Sequence, residues 1–106
     1  MPEITLSQLE QLLQTGSVLL LDARPRFYYD WGHIPGALPL APDSFPTDYA
    51  CIERQLGNSA GKKIVVYCGD IHCPNAHTVA TALVSKGYTV TVFPPGWLGW
   101  QMDHSK

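Results

Sequence analysis

Cys68 is the residue of this sequence whose surroundings best suit covalent chemistry. It directly follows the apolar run Ile64–Tyr67, which predicts a strand buried on both faces. A short loop, residues 69–73, separates it from a helix predicted over Pro74–Lys86. Such a loop turns backbone N–H groups inward, and the helix adds its positive end. We therefore expect a lowered pKa at Cys68, which favours the nucleophilic thiolate, although a buried structural cysteine is the alternative.

The loop itself consists of Gly69, Asp70, Ile71, His72 and Cys73. Its amides are expected to form a cradle for a persulfide or for the sulfonate oxygens of a thiosulfate-like donor. We expect His72 to be an exposed loop residue, with a general base as the alternative.

Cys73 has three alternative uses. It could resolve a persulfide or sulfenate on Cys68 by forming a disulfide across the loop. It could bind a metal together with Cys68, His72 and His77, since thiolate and imidazole ligands suit zinc or copper. It could also simply fill the start of the helix. The spacing matches no standard zinc pattern, so no metal and no organic cofactor is predicted.

Strands that alternate with helices predict an α/β fold with a parallel sheet and helices on both faces. The segment from Ala23 to Pro46 is predicted as loops and short turns, with a brief strand near Ala37–Leu40. Cys51 is predicted to be a core residue, and Asp103–Lys106 to be frayed. The predicted elements are a helix from Leu6 to Gly16, capped by Thr5 and Gln8, a strand Val18–Leu21 ending at Asp22, a helix Asp48–Leu56, a strand Ile64–Tyr67, a helix Pro74–Lys86, a strand Thr89–Phe93 and a short helix Trp97–Met102.

Composition excludes several classes of protein. The chain has 106 residues, which fits one domain over residues 1–106. Lysine and arginine number only 7 and the net charge is −2, so no nucleic-acid surface is predicted. No apolar run is long enough to span a bilayer, and the first residues lack the features of a signal peptide. Three cysteines do not suggest a secreted disulfide framework, so a cytoplasmic location without membrane binding is expected.

Several short elements resemble those of rhodanese-like domains, in the same order along nearly the whole chain. The matched elements are Asp22-Ala23-Arg24, Gly32-His33-Ile34-Pro35-Gly36-Ala37, Val65-Val66-Tyr67-Cys68, Gly87-Tyr88 and Pro95-Gly96-Trp97-Leu98-Gly99-Trp100. The run from Gly32 to Ala37 is the most specific of them.

The resemblance implies a three-layer domain with about five mostly parallel strands. It also implies a sulfurtransferase, in which Cys68 accepts a sulfane sulfur and passes it to cyanide, a thiol or a protein acceptor. The donor would be thiosulfate, a small persulfide or another protein. Asp22, Arg24 and His33 match family positions that we interpret as structural: Asp22 and Arg24 could pair where the strand ends, and His33 could bond the backbone of its turn.

The chain also departs from the family pattern. Members often carry Arg five residues after the nucleophile, where this chain has Cys73, and Asp70 places a negative charge in the loop. Both changes disfavour thiosulfate as a donor. Phosphatase-like relatives need Arg six residues after the cysteine, where this chain has Pro74, so phosphate or arsenate chemistry is not expected. A non-catalytic binding module and a dithiol redox protein using Cys68 and Cys73 remain the two alternative functions.

Overall fold

The structure of the protein is a computed structural model that describes residues 1–104. Five α-helices, four β-strands and one 3₁₀ helix follow one another in these described residues. They are α1 (Leu6–Thr15), β1 (Val18–Asp22), α2 (Arg26–Trp31), β2 (Leu38–Pro39), the 3₁₀ helix (Pro42–Ser44), α3 (Phe45–Gly57), β3 (Lys63–Tyr67), α4 (Asn75–Ser85), β4 (Val90–Phe93) and α5 (Gly96–His104). No helix in this part of the chain is long and apolar enough to cross a membrane.

All four strands are parallel, in the order β2-β1-β3-β4. Alternate side chains point to opposite faces of the sheet, and both faces are covered by helices, as predicted. On one face, Leu21 and Val66 pack with residues of α3 and α4. On the other face, Leu20 and Val65 pack with residues of α1 and α5. The two apolar layers explain why the strands read as continuous apolar runs.

The resemblance implied about five strands, and beside the four strands of the described residues there is one isolated parallel bridge, between Glu3 and Val92. The N–H of Ile4 donates to the carbonyl of Val92 at 3.0 Å, and the N–H of Val92 donates to the carbonyl of Pro2 at 2.8 Å. Pairing stops there because Pro2 has no N–H to donate and Thr5 already caps α1 through the predicted capping box with Gln8.

The segment predicted as loops contains a short helix that the sequence analysis missed. Helix α2 follows Pro25, and the exposed Arg26 side chain donates to Asp30 one turn later at 2.9 Å. Helix α3 also begins earlier than predicted, at Phe45, with Pro46 in its first turn. Proline at the first turn of a helix is a signal that could have moved this boundary.

Two further predictions were wrong. Cys51 is exposed, because the buried stripe of α3 runs through Asp48, Ile52 and Leu56. Asp103 is helical rather than frayed, because α5 continues to His104, whose ring stacks on Trp100 at 3.7 Å. The predicted fraying of residues 105 and 106 lies outside the described residues.

Asp48 ties the start of α3 to the end of β2. Its carboxylate accepts from the N–H of Ala41 at 3.1 Å and from the hydroxyl of Ser44 at 2.7 Å. The Asp48 side chain is buried, so its removal would leave these donors unsatisfied.

We expect Asp48→Ala to lower the free energy of unfolding by about 1–3 kcal/mol, the usual cost of unsatisfied buried polar groups. Urea denaturation measures this loss. Asp43→Ala is the matched control, because Asp43 is an exposed carboxylate on the neighbouring 3₁₀ helix. Equal losses in the two variants would contradict the assigned role of Asp48.

Candidate active site

The candidate site lies at the carboxyl edge of the sheet, where β1 and β3 end side by side. Asp22 and Tyr67, the last residues of these strands, are paired in register. Cys68 comes next and is only 2% exposed, packed on the face covered by α3 and α4. This edge is where ligands bind in parallel α/β folds.

A buried polar cluster fixes this edge of the sheet. The guanidinium of Arg24 donates to Asp22 from Nε and from Nη2, the latter at 2.8 Å, and the backbone N–H of Arg24 donates to the same carboxylate at 2.9 Å. The hydroxyl of Tyr67 donates to Asp22 at 2.7 Å and accepts from the N–H of Ile34 at 3.1 Å. Burial, together with the Asp22 charge and hydrogen bond, raises the pKa of Tyr67 well above its ordinary value, so Tyr67 acts here as a neutral donor.

The same cluster extends to the Gly-His turn. Arg24 Nη2 donates to the carbonyl of Gly32 at 2.6 Å, and the guanidinium lies over the ring of Trp97, 5.1 Å from its centroid. His33 Nδ1 lies 2.8 Å from the carbonyl of Tyr29, so this nitrogen carries a proton and donates it, and the two rings stack. Asp22 and Arg24 are thus paired where the strand ends, as the sequence suggested, whereas His33 bonds the carbonyl of Tyr29 in α2 rather than the backbone of its own turn.

Cys68 and Cys73 form a disulfide, with their Cα atoms 6.2 Å apart. Of the three uses considered for Cys73, this is the contact that a resolving thiol requires. A disulfide sulfur does not titrate, so the lowered pKa expected for Cys68 concerns the reduced protein and stays a prediction. Cys73 is half-buried and thus more accessible than Cys68.

Asp70 folds the loop between the two cysteines. Its carboxylate accepts from the N–H of His72 at 2.9 Å, and its carbonyl accepts from the N–H of Cys73 at 3.3 Å. Two of the five amides expected in the anion cradle are thus engaged inside the loop. The side chains of Ile71 and His72 are exposed.

The first turn of α5 holds the loop through backbone groups. The N–H of Trp97 donates to the carbonyl of Cys68, and the N–H of Leu98 donates to the carbonyl of Gly69, both at 2.9 Å. These donors are otherwise unpaired at a helix start, so loop and helix satisfy each other. Asn75 adds a contact from the start of α4, since its side-chain amide donates to the carbonyl of Ala23 at 3.1 Å.

The metal alternative for the loop finds no support in the arrangement of ligands. Among the described residues, the donor atoms close enough to share an ion belong to Glu10, Asp103 and His104, on α1 and α5. The side chains of Cys68, Cys73, His72 and His77 form no such group there.

A cavity of about 280 Å³ opens onto the disulfide. It is lined by Arg24, Pro25, Tyr28, Cys68, Gly69, Cys73 and Trp97. The lining is almost entirely apolar, and the charge of Arg24 is paired with Asp22. Somewhat larger hollows exist near α1 and the amino ends of the strands, but their linings contain no cysteine.

The family model of the rhodanese-like domain matches residues 5–103. The chain belongs to this family. It is 31% identical over 70 residues to a tRNA uridine(34) hydroxylase of Photorhabdus laumondii, covering 65% of this chain and 20% of that protein. It is 30% identical over 101 residues to an HTH-type transcriptional regulator of Mycobacterium tuberculosis, covering 93% of this chain and 41% of the regulator. The chain thus spans less than half the length of either relative.

Among solved structures, a human single-domain sulfurtransferase is similar to this rhodanese-like chain over 98% of both chains, with a TM-score of 0.77 and 24% identity. At that identity the likeness shows the shared fold. The α/β architecture with a parallel sheet flanked by helices, expected from the sequence, is confirmed.

Three further residues contribute to the site of this rhodanese-like domain, and the sequence patterns did not single them out. Tyr67 was predicted as the last residue of a strand, and Trp97 as the first residue of the last helix. Tyr28 lay in the segment predicted as loops and short turns. Of the three, Tyr67 alone offered a sequence signal, because the hydroxyl of a tyrosine at a buried strand end needs a hydrogen-bond partner.

Gly96 is the contact point between α5 and the loop, and its backbone has a φ of +62°. A Cβ atom at this position would overlap with the carbonyl oxygen of Cys68. Both features require glycine, because other residues are strained at positive φ and the backbone of Cys68 cannot give way.

We expect Gly96→Ala to destabilise the reduced protein by about 2 kcal/mol or more, since strain at positive φ adds to the steric overlap. The measurement is the urea midpoint under reducing conditions. Gly57→Ala serves as the control, because Gly57 has an ordinary φ and free space around its Cα, and a change within about 0.5 kcal/mol is expected. Unfolding of both variants at the same urea concentration would contradict the requirement for glycine at position 96.

Proposed function

We propose that this rhodanese-like domain is a sulfurtransferase or persulfide carrier, in which Cys68 accepts a sulfane sulfur and passes it to a thiol, cyanide or protein acceptor. The observation that carries the proposal is the position of Cys68. It follows directly on the end of β3 and lines a cavity of about 280 Å³ at the carboxyl edge of the sheet. Membership of the rhodanese-like family supports the same kind of chemistry.

The reaction would run in two steps through a covalent intermediate. The Cys68 thiolate attacks the sulfane sulfur of the donor, the donor leaves as a thiolate or sulfite, and Cys68 becomes a persulfide. The acceptor then attacks the outer sulfur and releases the Cys68 thiolate. The start of α4, a few residues beyond the loop, favours the anionic forms of residue 68 through its helix dipole.

The charges around the cavity favour a small persulfide over thiosulfate as the donor. Arg24 is the one cationic residue in the lining, and Asp22 neutralises it. Asp70 adds a negative charge to the loop, and Cys73 stands where many family members have Arg. An apolar wall that includes Tyr28 and Trp97 suits the organic part of a persulfide better than a dianion.

A cytoplasmic location is part of the proposal. The glutathione pool there supplies thiols that reduce disulfides, so Cys68 could be returned to its thiolate form. A protein acceptor would have to reach Cys68 through the cavity, because this residue is 2% exposed.

The proposal predicts that a reduced Cys51→Ser/Cys73→Ser protein, which keeps only Cys68, gains one sulfur atom from a low-molecular-weight persulfide. Intact-mass measurement follows the gain, and cyanide should remove it as thiocyanate. The matched control is Cys51→Ser/Cys68→Ser, which keeps only the more accessible Cys73 and should load at least about tenfold more slowly, because it lacks the activated thiolate. Equal loading of the two proteins would contradict a special role for Cys68. If a folded protein does not load at all, the domain is instead a binding module.

Repulsion between the Asp70 carboxylate and a dianionic donor predicts that Asp70→Asn speeds loading of Cys68 from thiosulfate. A gain of about fivefold in the second-order rate constant is expected from removing one repulsive charge near a dianion. The asparagine oxygen can still accept from the N–H of His72, so the loop fold is kept. Glu53→Gln, which removes an exposed charge on α3, is the control and should leave the rate constant unchanged. A thiosulfate rate that does not respond to Asp70→Asn would contradict this account of donor choice.

A dithiol redox protein is the second candidate function, and the Cys68–Cys73 disulfide is the observation that favours it. In that case, a mild oxidant alone should remove two hydrogen atoms from the reduced protein in a reaction that needs both cysteines. Loss of two hydrogens without any donor, together with no sulfur gain in the Cys68-only variant, would favour this function over sulfur transfer.

A further inference from the structure

The position of Cys73 relative to Cys68 bears on the fate of the transferred sulfur. The two residues are five apart in sequence and their sulfurs are bonded, so the reduced thiols lie within reach of each other without rearrangement of the sheet. Asp70 holds the intervening turn through its carboxylate and its carbonyl. Cys73 is thus a thiol held beside the sulfur that would carry the persulfide.

We propose that Cys73 discharges the persulfide of Cys68 as hydrosulfide, so that the domain is a thiol-dependent reductase of small organic persulfides. This inference rests on the proposed function, since it requires a persulfide on Cys68. It also assigns the substrate class and the product.

The Cys73 sulfur attacks the inner sulfur, Sγ of Cys68, and the bond between the inner and outer sulfurs breaks. The outer sulfur leaves with the electron pair, takes the proton of the Cys73 thiol and departs as hydrosulfide. The sulfane sulfur is reduced, and the two cysteines are oxidised to the Cys68–Cys73 disulfide. Two equivalents of a low-molecular-weight thiol, or one dithiol, then reduce that disulfide and are themselves oxidised to a disulfide.

Burial supports discharge inside the protein over transfer to an outside acceptor. Cys68 is 2% exposed, and the cavity of about 280 Å³ in front of it is the space through which an outside molecule would reach its sulfur. An outside acceptor must enter this space, whereas Cys73 lies in its wall. An intramolecular thiol also has an effective concentration of millimolar or higher, which external thiols must match.

The accessibility of Cys73 also supports reduction of the Cys68–Cys73 disulfide by a small thiol. Cys73 is half-buried and borders the cavity, so a small reducing thiol can approach the disulfide on its more exposed side. Attack at Cys73 forms a mixed disulfide there and releases Cys68 as the leaving thiolate. The positive end of α4 favours that leaving group.

The test compares two reduced, desalted proteins under anaerobic conditions. One is Cys51→Ser, which retains both loop cysteines and lacks the exposed thiol of α3. The other is Cys51→Ser/Cys73→Ser. Each is mixed with one equivalent of glutathione persulfide and followed by intact mass and by a sulfide assay.

We expect the protein with both loop cysteines to lose two hydrogen atoms and to release about one hydrosulfide per chain. This release should be at least about tenfold faster than from the Cys51→Ser/Cys73→Ser protein, because the attack is intramolecular. The variant without Cys73 should keep one added sulfur. With excess reducing thiol, only the first protein should turn over persulfide into hydrosulfide repeatedly.

Different results would overturn the carrier function of Cys68 and the discharge of its persulfide by Cys73. If the Cys73→Ser protein never gains sulfur while its circular dichroism is unchanged, the carrier function itself fails. If it gains sulfur but the protein with both cysteines also holds that sulfur and releases hydrosulfide no faster, the carrier stands and discharge by Cys73 is wrong. Sulfur found on Cys73 by peptide mapping, or a disulfide that forms equally fast without persulfide, would also overturn the discharge step.

Discussion

The buried ion pair between Asp22 and Arg24 is the interaction on which the site depends. A buried charge is tolerated only when it is paired and hydrogen-bonded, and both carboxylate oxygens of Asp22 accept from Arg24, one of them also from Tyr67. The pair joins the ends of β1 and β3 to the turn at Gly32, and places a guanidinium beside Trp97. Removing either partner would leave an unpaired charge at the base of the cavity.

This pairing also decides the electrostatic character of the cavity. Arg24 borders the space in front of Cys68, yet its charge is already used by Asp22. The cavity is therefore a mostly apolar space with the Cys68–Cys73 sulfur pair at one side. The donor preference proposed for this domain follows from this apolar character.

The parts of the fold that are encoded by residues close together in the sequence were predicted well. The apolar runs of β1, β3 and β4 and the capping box of α1 are local, and the structure confirms them. Helix α2 was missed because its aromatic side chains are mostly exposed and leave no buried stripe. Cys51 was placed in the core because spacing alone does not say which side of a helix faces the sheet.

For the site, the sequence pointed to the Cys68 loop and to a pairing of Asp22 with Arg24, but not to the contacts of Tyr67 and Trp97. The Cys68 loop and the Asp22–Arg24 pair follow from strand ends and from family resemblance. The contacts of Tyr67 with Asp22 and of Trp97 with Cys68 join residues far apart in the chain, and only the folded backbone brings them together. The link between Cys68 and Cys73 was one of three alternatives, because a spacing of five residues does not show whether two thiols are bonded.

The loop is anchored by its backbone, and this has a consequence for how such domains diversify. The carbonyls of Cys68 and Gly69 are held by α5, while the side chains of Ile71 and His72 project outward. Substitutions at these two outward positions would alter the local surface without removing an anchoring hydrogen bond. The exposed surface of the loop can therefore change in evolution while the hydrogen bonds that anchor it are kept.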